Sequence, residues 1–130
     1  MKTITRFLGT FVIAGLAALF SSGCTSLKAI SSTPPVKAVV VVQPVEFKFG
    51  LGETMTMPAG EYKPALEDDK AYYYQAPSKL VARDIFPYVS DGGLVIKRGE
   101  KIPTRWYSID QQNMFSGGKL PANFPAKIVE

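Results

Sequence analysis

The chain of 130 residues is long enough for one domain with a modest hydrophobic core and too short for two. Its 15 basic and 11 acidic side chains give a formal net charge of +4, and the basic ones are scattered, which argues against nucleic acid as a partner. With no histidine and one cysteine, the usual zinc, copper and haem sites are excluded, as is catalysis by Ser-His-Asp or Cys-His groups. We therefore expect no metal site, no cofactor and no catalytic residue.

The N-terminal segment has three parts that occur together in export signals. Lys2 and Arg6 precede an uncharged apolar run over residues 7–20, and the small residues 21–23 follow. The run is shorter than the roughly 20 apolar residues that a membrane-spanning helix needs. We predict that residues 1–23 are a signal peptide that is removed, which leaves a chain with nearly balanced charge.

The stretch Leu19-Phe20-Ser21-Ser22-Gly23-Cys24 resembles the lipobox of bacterial lipoproteins, although Ser21 stands where that family usually has leucine or another aliphatic residue. The resemblance covers residues 1–24. It implies that Cys24 becomes the N-terminus and carries diacylglycerol and further acyl chains such as palmitate. Two or more acyl chains make membrane attachment stable.

The residue after the lipidated cysteine influences sorting in such lipoproteins, and here it is Thr25 rather than aspartate. The resemblance therefore implies the outer membrane, with the domain facing the periplasm. The residues alone leave another possibility open, which is an ordinary secreted protein whose cysteine is free or buried.

Residues 24–35 are polar and end in a double proline, a composition that buries too little apolar surface to fold alone. We predict a flexible tether that could hold the domain about 35 Å from the bilayer. The single β-rich domain is then expected over residues 36–130.

Three strands are predicted next. The valine-rich residues 36–42 favour a strand that is buried on both faces or against a partner surface. Apolar and polar residues alternate over 45–49 and over 53–57, the pattern of half-buried strands.

Pro58-Ala59-Gly60 is typical of a three-residue hairpin loop with a bulge at the glycine. Residues 61–66 are therefore expected to pair back on the preceding strand. Pro64 lacks a backbone N–H, so that strand is expected at a sheet edge. Residues 67–70 are predicted as the following turn.

The strand over residues 71–75 carries three consecutive tyrosines, and alternation sends Tyr72 and Tyr74 to one face and Tyr73 to the other. Beside the acidic turn, Tyr72 and Tyr74 form a candidate binding surface that could stack on a sugar or grip a peptide. The alternative is that these tyrosines are packing residues with solvated hydroxyls.

The interpretation of residues 77–87 stays open between a short helix and an irregular strand. Beyond it, residues 88–90 and 94–97 favour two strands. The sequence Asp91-Gly92-Gly93 between them predicts a hairpin turn.

Residues 102–109 predict a strand with Trp106 on the core side and Arg105 and Tyr107 on the opposite side. Residues 110–118 are predicted to form a polar, flexible loop. Its apolar pair, Met114 and Phe115, either packs under the domain or is a candidate contact with a partner.

A short final strand is predicted over residues 126–129. Six to eight short strands with turn chemistry between them favour an all-β fold, an antiparallel sandwich or small barrel.

These observations favour a lipid-anchored cell-envelope lipoprotein with a non-catalytic binding or structural role in a periplasmic or outer-membrane assembly, and an envelope protein or glycan as its partner. Two alternatives remain. One is a tethered inhibitor or immunity-type protein that plugs an envelope hydrolase with the loop over 110–119. The other is a carboxylate-dependent hydrolase of envelope polymers.

Overall fold

A computed structural model describes residues 27–50, 52–109 and 115–130, and all regular secondary structure in these ranges is β. The strands in chain order are β1 Lys28–Ala29, β2 Ala38–Val41, β3 Val45–Phe49, β4 Glu53–Met57, β5 Gly60–Glu67, β6 Ala71–Gln75, β7 Leu80–Arg83, β8 Tyr88–Lys97, β9 Arg105–Ile109, β10 Phe115–Lys119 and β11 Ala126–Val129. The described part contains no helix long and apolar enough to cross a bilayer.

All strand pairs are antiparallel, and the strands follow the order β11-β2-β5-β6-β8-β7-β4-β3. β9 pairs with the other edge of β8 and with β10, and β1 pairs with β5. The prediction of an all-β, antiparallel fold is confirmed. The described strands number eleven rather than six to eight, and the sheet is not closed into a barrel.

The sheet folds over itself because its longest strand, β8, is shared. Gln75 of β6 pairs with Gly93, and Leu80 of β7 pairs with Ser90. Between these two pairs the chain that joins β6 to β7 takes five residue steps, whereas β8 takes three. The extra residues bend the sheet into one layer with β6, β8, β9 and β10 and a second layer with β3, β4 and β7. The layers meet at Trp106, which lies on the inner face of the first layer.

Aromatic contacts across the two layers define the main core. The rings of Phe47 and Phe49 on β3 lie 5.9 and 5.1 Å from the ring of Trp106 on β9. Trp106 is 2 % exposed, as predicted. The other buried residues of this core include Val36, Val39, Val41, Met55, Met57, Tyr62, Tyr72, Tyr74, Leu80, Leu94 and Ile96.

The predicted hairpin turn at residues 91–93 is wrong, because β8 runs without interruption through Gly92 and Gly93. A Cβ atom at Gly93 would overlap the carbonyl oxygen of Tyr74, and one at Gly92 would overlap the carbonyl oxygen of Tyr107. Glycine is therefore needed at these two positions because neighbouring backbones come too close for a side chain, a common reason for glycine inside a strand.

The predicted pairing of residues 61–66 with β4 is also wrong. Gly60 has the positive φ expected of it, +131°, but both edges of β4 are occupied by β3 and β7. β5 instead pairs with β2 and β6, so residues 58–59 form a corner between the layers. Pro64 lies between the stretches of β5 that pair with β2 and β1, at a bulge, so its missing N–H interrupts neither ladder.

The described part of the predicted tether is docked on the domain. Lys28–Ala29 forms β1 on the edge of β5, and Val36 is 2 % exposed. The prediction of a flexible segment over 24–35 therefore needs correction from residue 27 onward, because this polar stretch finds hydrogen-bond partners far away in the sequence. Residues 24–26 lie outside the described ranges.

The structure also decides the predictions for two further segments. The open region over 77–87 contains the strand β7, Leu80–Arg83, followed by bends. The predicted flexible loop over 110–118 is corrected for its second half, because Phe115–Lys119 forms β10 on the edge of β9.

Candidate functional site

A cleft of about 490 Å³ lies on the outer face of the first layer, on the side opposite the main core. We call it the aromatic cleft and define it by Tyr73 on β6, Val95 on β8, Tyr107 on β9 and Phe115 on β10. Strand register brings these side chains together, since Tyr73 pairs with Val95 and Tyr107 lies between paired glycines on β8 and β10. Paired residues in a sheet share a face.

The three rings of the aromatic cleft contact one another. Tyr73 and Tyr107 meet edge to face with centroids 5.2 Å apart, and Phe115 stacks on Tyr107 at 5.8 Å with an angle of 22° between the ring planes. The tyrosines are 8 % and 2 % exposed, whereas Phe115 is 47 % exposed. Phe115 therefore presents the accessible aromatic surface of the cleft.

Two glycines of β10 allow this arrangement. Gly117 pairs with Tyr107 and Gly118 with Trp106. A Cβ atom at Gly117 would lie 2.6 Å from the carbonyl oxygen of Trp106, and one at Gly118 would lie 3.1 Å from its Nε1 atom. The glycine pair thus lets β10 approach β9 closely, with Tyr107 on the cleft side and Trp106 on the core side.

One end of the cleft carries four cations, and we call it the basic rim. Three of these cations line the cleft, and the fourth, Lys119, pairs in register with Arg105. All four are exposed, and within the described residues none of them forms a salt bridge. The cations of this basic rim are Lys70, Lys97, Arg105 and Lys119. Asp68 and Asp69 are the nearby acidic residues, in the turn before β6.

The carboxylate of Asp68 accepts hydrogen bonds from its own turn and from Tyr73. One carboxylate oxygen accepts hydrogen bonds from the backbone N–H groups of Lys70 and Ala71 at 2.9 Å, and the other accepts from the Tyr73 hydroxyl at 2.8 Å. Burial and the Asp68 carboxylate raise the pKa of Tyr73, and burial raises the pKa of Tyr107. Both tyrosines are therefore neutral at ordinary pH, and the floor of the cleft carries no charge.

The predicted binding surface at Tyr72 and Tyr74 needs correction. The alternation was predicted correctly, but the two side chains face the main core and are 5 % and 0 % exposed. The Tyr74 hydroxyl donates to the carbonyl oxygen of Val36 at 2.6 Å and accepts from its N–H at 3.3 Å. The segment that carries Ser32 and Val36 contacts both hydroxyls on this face, so Tyr73 is the member of the triplet that reaches the cleft.

Tyr72 instead belongs to a polar cluster that holds the N-terminal segment, the Glu67 clamp, which consists of Glu67, Ser31, Ser32, Tyr72 and Arg98. The buried Glu67 carboxylate accepts hydrogen bonds from the hydroxyls of Ser32 at 2.6 Å and Ser31 at 2.7 Å. These hydroxyls lower the pKa of Glu67 to about 2. The Arg98 guanidinium donates to the Tyr72 hydroxyl at 2.7 Å and lies 3.5 Å from Glu67.

The other predicted site residues fall partly outside the described chain. Cys24 and Met114 lie outside the described ranges, and Phe115 forms part of the aromatic cleft. Sequence reasoning missed Tyr107 as a site residue. The signal was available, because alternation placed Arg105 and Tyr107 opposite Trp106, as the structure confirms.

A second polar cluster lies at a corner of the other layer. Asp84, which has a φ of +100°, accepts from the Thr54 hydroxyl at 2.5 Å and from Lys48 at 3.2 Å. Glu53 accepts from the backbone N–H of Phe86 at 2.7 Å. These contacts fix the bend between β7 and β8, and we assign them a structural role.

No group of three or more metal-ligating side chains occurs within the described residues. Comparison with known proteins finds no family model, no curated protein and no solved structure that matches this chain.

Proposed function

We propose that this chain is a lipid-anchored lipoprotein of the bacterial cell envelope with a non-catalytic binding role. The resemblance of residues 1–24 to a lipoprotein signal supports lipidation at Cys24. By the same resemblance the protein is attached to the outer membrane and faces the periplasm.

The aromatic cleft carries the binding role. It combines an accessible aromatic ring, Phe115, with cations that no described carboxylate neutralises. Aromatic rings pack against apolar or ring-shaped groups, and lysine and arginine bind anionic oxygens. The ligand expected from this chemistry is an anionic component of the envelope with an apolar or ring-shaped part.

Attachment is tested with the full chain expressed in a diderm bacterium and labelled with radioactive palmitate. Cys24→Ala should lose the label and either leave the membrane fraction or accumulate as a precursor. Ser26→Ala is the matched control and should behave as the wild type. A Cys24→Ala protein that is still processed and membrane-bound would show that the lipid anchor is wrong.

Binding is tested with a photoreactive amino acid at Lys119, which is exposed and shares the cleft face with Arg105, and at Lys48 on the second layer as control. Irradiation of living cells should give an adduct with an envelope component from Lys119 and not from Lys48. The combination of Phe115→Ala and Arg105→Glu should abolish it. Equal adducts from both positions, or none from Lys119, would contradict a binding role for the cleft.

A further inference from the structure

The docked N-terminal segment determines where the chain leaves the domain. The Glu67 clamp holds Ser31 and Ser32, and β1 pairs Lys28 with Glu67 and Ala29 with Leu66. Leu27, the first described residue, packs against the cluster of Tyr73, Val95 and Tyr107. The chain therefore reaches its anchor from beside the aromatic cleft.

The remaining distance to the anchor is short. Leu27 lies three positions after Cys24, and an extended chain spans at most about 3.6 Å per position, or about 11 Å in total. This replaces the span of about 35 Å expected for a free tether over residues 24–35. A lipidated Cys24 would hold the cleft side of the domain at the membrane surface.

The exit point is at the basic end of the cleft. Because Lys28 pairs with Glu67 and the two strands are antiparallel, the residues that precede Lys28 lie beside the turn that follows Glu67 and carries Lys70. Lys97 lies beside this turn, because it pairs with Ala71, and Arg105 pairs with Val95 next to it. Lys28 and Arg98 beside the exit point contact Glu67, whereas Lys70 and Lys97 near the same turn have no carboxylate partner in the described chain.

The composition of this face matches a bilayer surface. Lipid headgroups present phosphate anions, and clustered lysines and arginines next to a membrane anchor bind anionic lipids. Exposed phenylalanine, tryptophan and leucine side chains of membrane-bound surfaces insert at the boundary between headgroups and acyl chains, where their apolar area leaves water. Phe115, at 47 % exposure, projects from the same face as the basic rim.

We infer that the aromatic cleft docks on anionic lipid headgroups of the bilayer that holds Cys24, so that the phosphate groups contact the basic rim and Phe115 enters the interface. The inference rests on the proposed lipid anchor and names the ligand of the same cleft. The domain then lies on the membrane in one orientation, with the second layer turned away from the bilayer.

The orientation can be measured with one fluorophore at a time. Cys24 is the single cysteine in the sequence, and lipidation consumes its thiol, so an introduced cysteine is uniquely reactive. The processed full chain carrying Lys119→Cys, on the cleft face, or Lys48→Cys is labelled and reconstituted in nanodiscs with spin-labelled headgroups. Lys48 is the control because its neighbours Phe47 and Phe49 face Trp106, so Lys48 points away from the cleft layer.

In nanodiscs containing about 30 % anionic phospholipid, we expect at least threefold stronger quenching at position 119 than at position 48. The charge reversals Lys97→Glu and Arg105→Glu should reduce quenching at position 119 to the control level, and so should neutral nanodiscs. All variants carry exposed substitutions, and unchanged thermal unfolding verifies their folding.

Three outcomes would overturn docking on headgroups while leaving the anchored binding module intact. They are equal quenching at the two positions, quenching at position 119 that does not depend on lipid charge, and loss of that quenching when envelope glycan fragments or an envelope protein are added. Failure of the proposed anchor has a different signature, which is a purified protein whose mass shows no lipid on Cys24.

Discussion

The carboxylate of Glu67 accepts a hydrogen bond of 2.6 Å from the hydroxyl of Ser32, which lies 35 positions earlier in the sequence. A second serine completes the contact, and the carboxylate is 1 % exposed. A charge removed from water is tolerated only where hydrogen bonds replace the lost hydration. The N-terminal segment therefore does two things at once, since it satisfies the buried carboxylate and is itself held in place.

Glu67→Gln should destabilise the fold at neutral pH by about 2 kcal/mol, because the charged acceptor of two serine hydroxyls is replaced by a neutral amide. The free energy of unfolding is measured by urea titration with Trp106 fluorescence. Glu61→Gln, at an exposed position of the same strand, is the control and should change the stability little.

The same variant tests the pH dependence. The pKa of Glu67 is lowered from about 4.5 to about 2 in the folded protein, so its contribution to stability is complete above pH 4.5 and is lost as the pH falls toward 2. The wild type should therefore lose more stability than Glu67→Gln between pH 4.5 and 2. Parallel stability curves for the two proteins would contradict this assignment.

Tyr74→Phe should cost about 2 kcal/mol, because both the N–H and the carbonyl oxygen of Val36 lose their buried hydroxyl partner. Tyr88→Phe is a matched control, since the Tyr88 hydroxyl makes no hydrogen bond within the described residues and the side chain is half-buried. The two variants are compared by chemical denaturation. A Tyr74→Phe protein as stable as the control would show that the hydroxyl contacts contribute nothing.

Gly93→Ala should destabilise the protein by about 2–3 kcal/mol, because the added methyl group would overlap the carbonyl oxygen of Tyr74 and force β6 away from β8. Gly99→Ala provides the comparison. Its Cβ atom would meet no heavy atom within 4 Å, so only the backbone strain at a φ of +87° remains, about 1 kcal/mol. The prediction fails if the two substitutions are equally tolerated in thermal unfolding.

Asp84 allows side-chain and backbone effects to be separated. Asp84→Ala and Asp84→Gly both lose the contacts with Thr54 and Lys48, but only glycine relieves the φ of +100°. We expect the glycine variant to melt about 4 °C or more above the alanine variant. Differential scanning calorimetry of the two proteins would decide, and equal melting temperatures would remove the argument for strain.

Local patterns predicted the strands well because alternation is a property of a few neighbouring residues. The strands at Val45–Phe49, Glu53–Met57 and Ala71–Gln75 agree with the structure, and so does the burial of Trp106. Strand partners were less predictable. A glycine pair serves a turn or a close approach of backbones equally well, and only the neighbours of Gly92 and Gly93 distinguish the two.

The candidate site was half predictable for a similar reason. Alternation tells which tyrosines share a face, and it does not tell which face the rest of the chain covers. The sequence therefore leaves Tyr72 and Tyr74 open between a binding surface and packing residues, whereas in the structure they are buried and Tyr73 and Tyr107 form the cleft. The role of Glu67 could not be predicted, because its partners Ser31 and Ser32 lie in a segment whose composition is that of a linker.

The ten-residue strand β8 belongs to both layers, since its first residues pair with β7 and its later residues pair with β6 and β9. Separating the layers would therefore require β8 to lose all its hydrogen bonds to one set of partners. A partial opening would break these hydrogen bonds, and the chain entropy that it gains would be too small to compensate. In native-state hydrogen exchange the amides of β8 between residues 93 and 96 should then exchange only through global unfolding. The amides of β1 and β11, which pair along one edge each, should report local fraying at lower free energies.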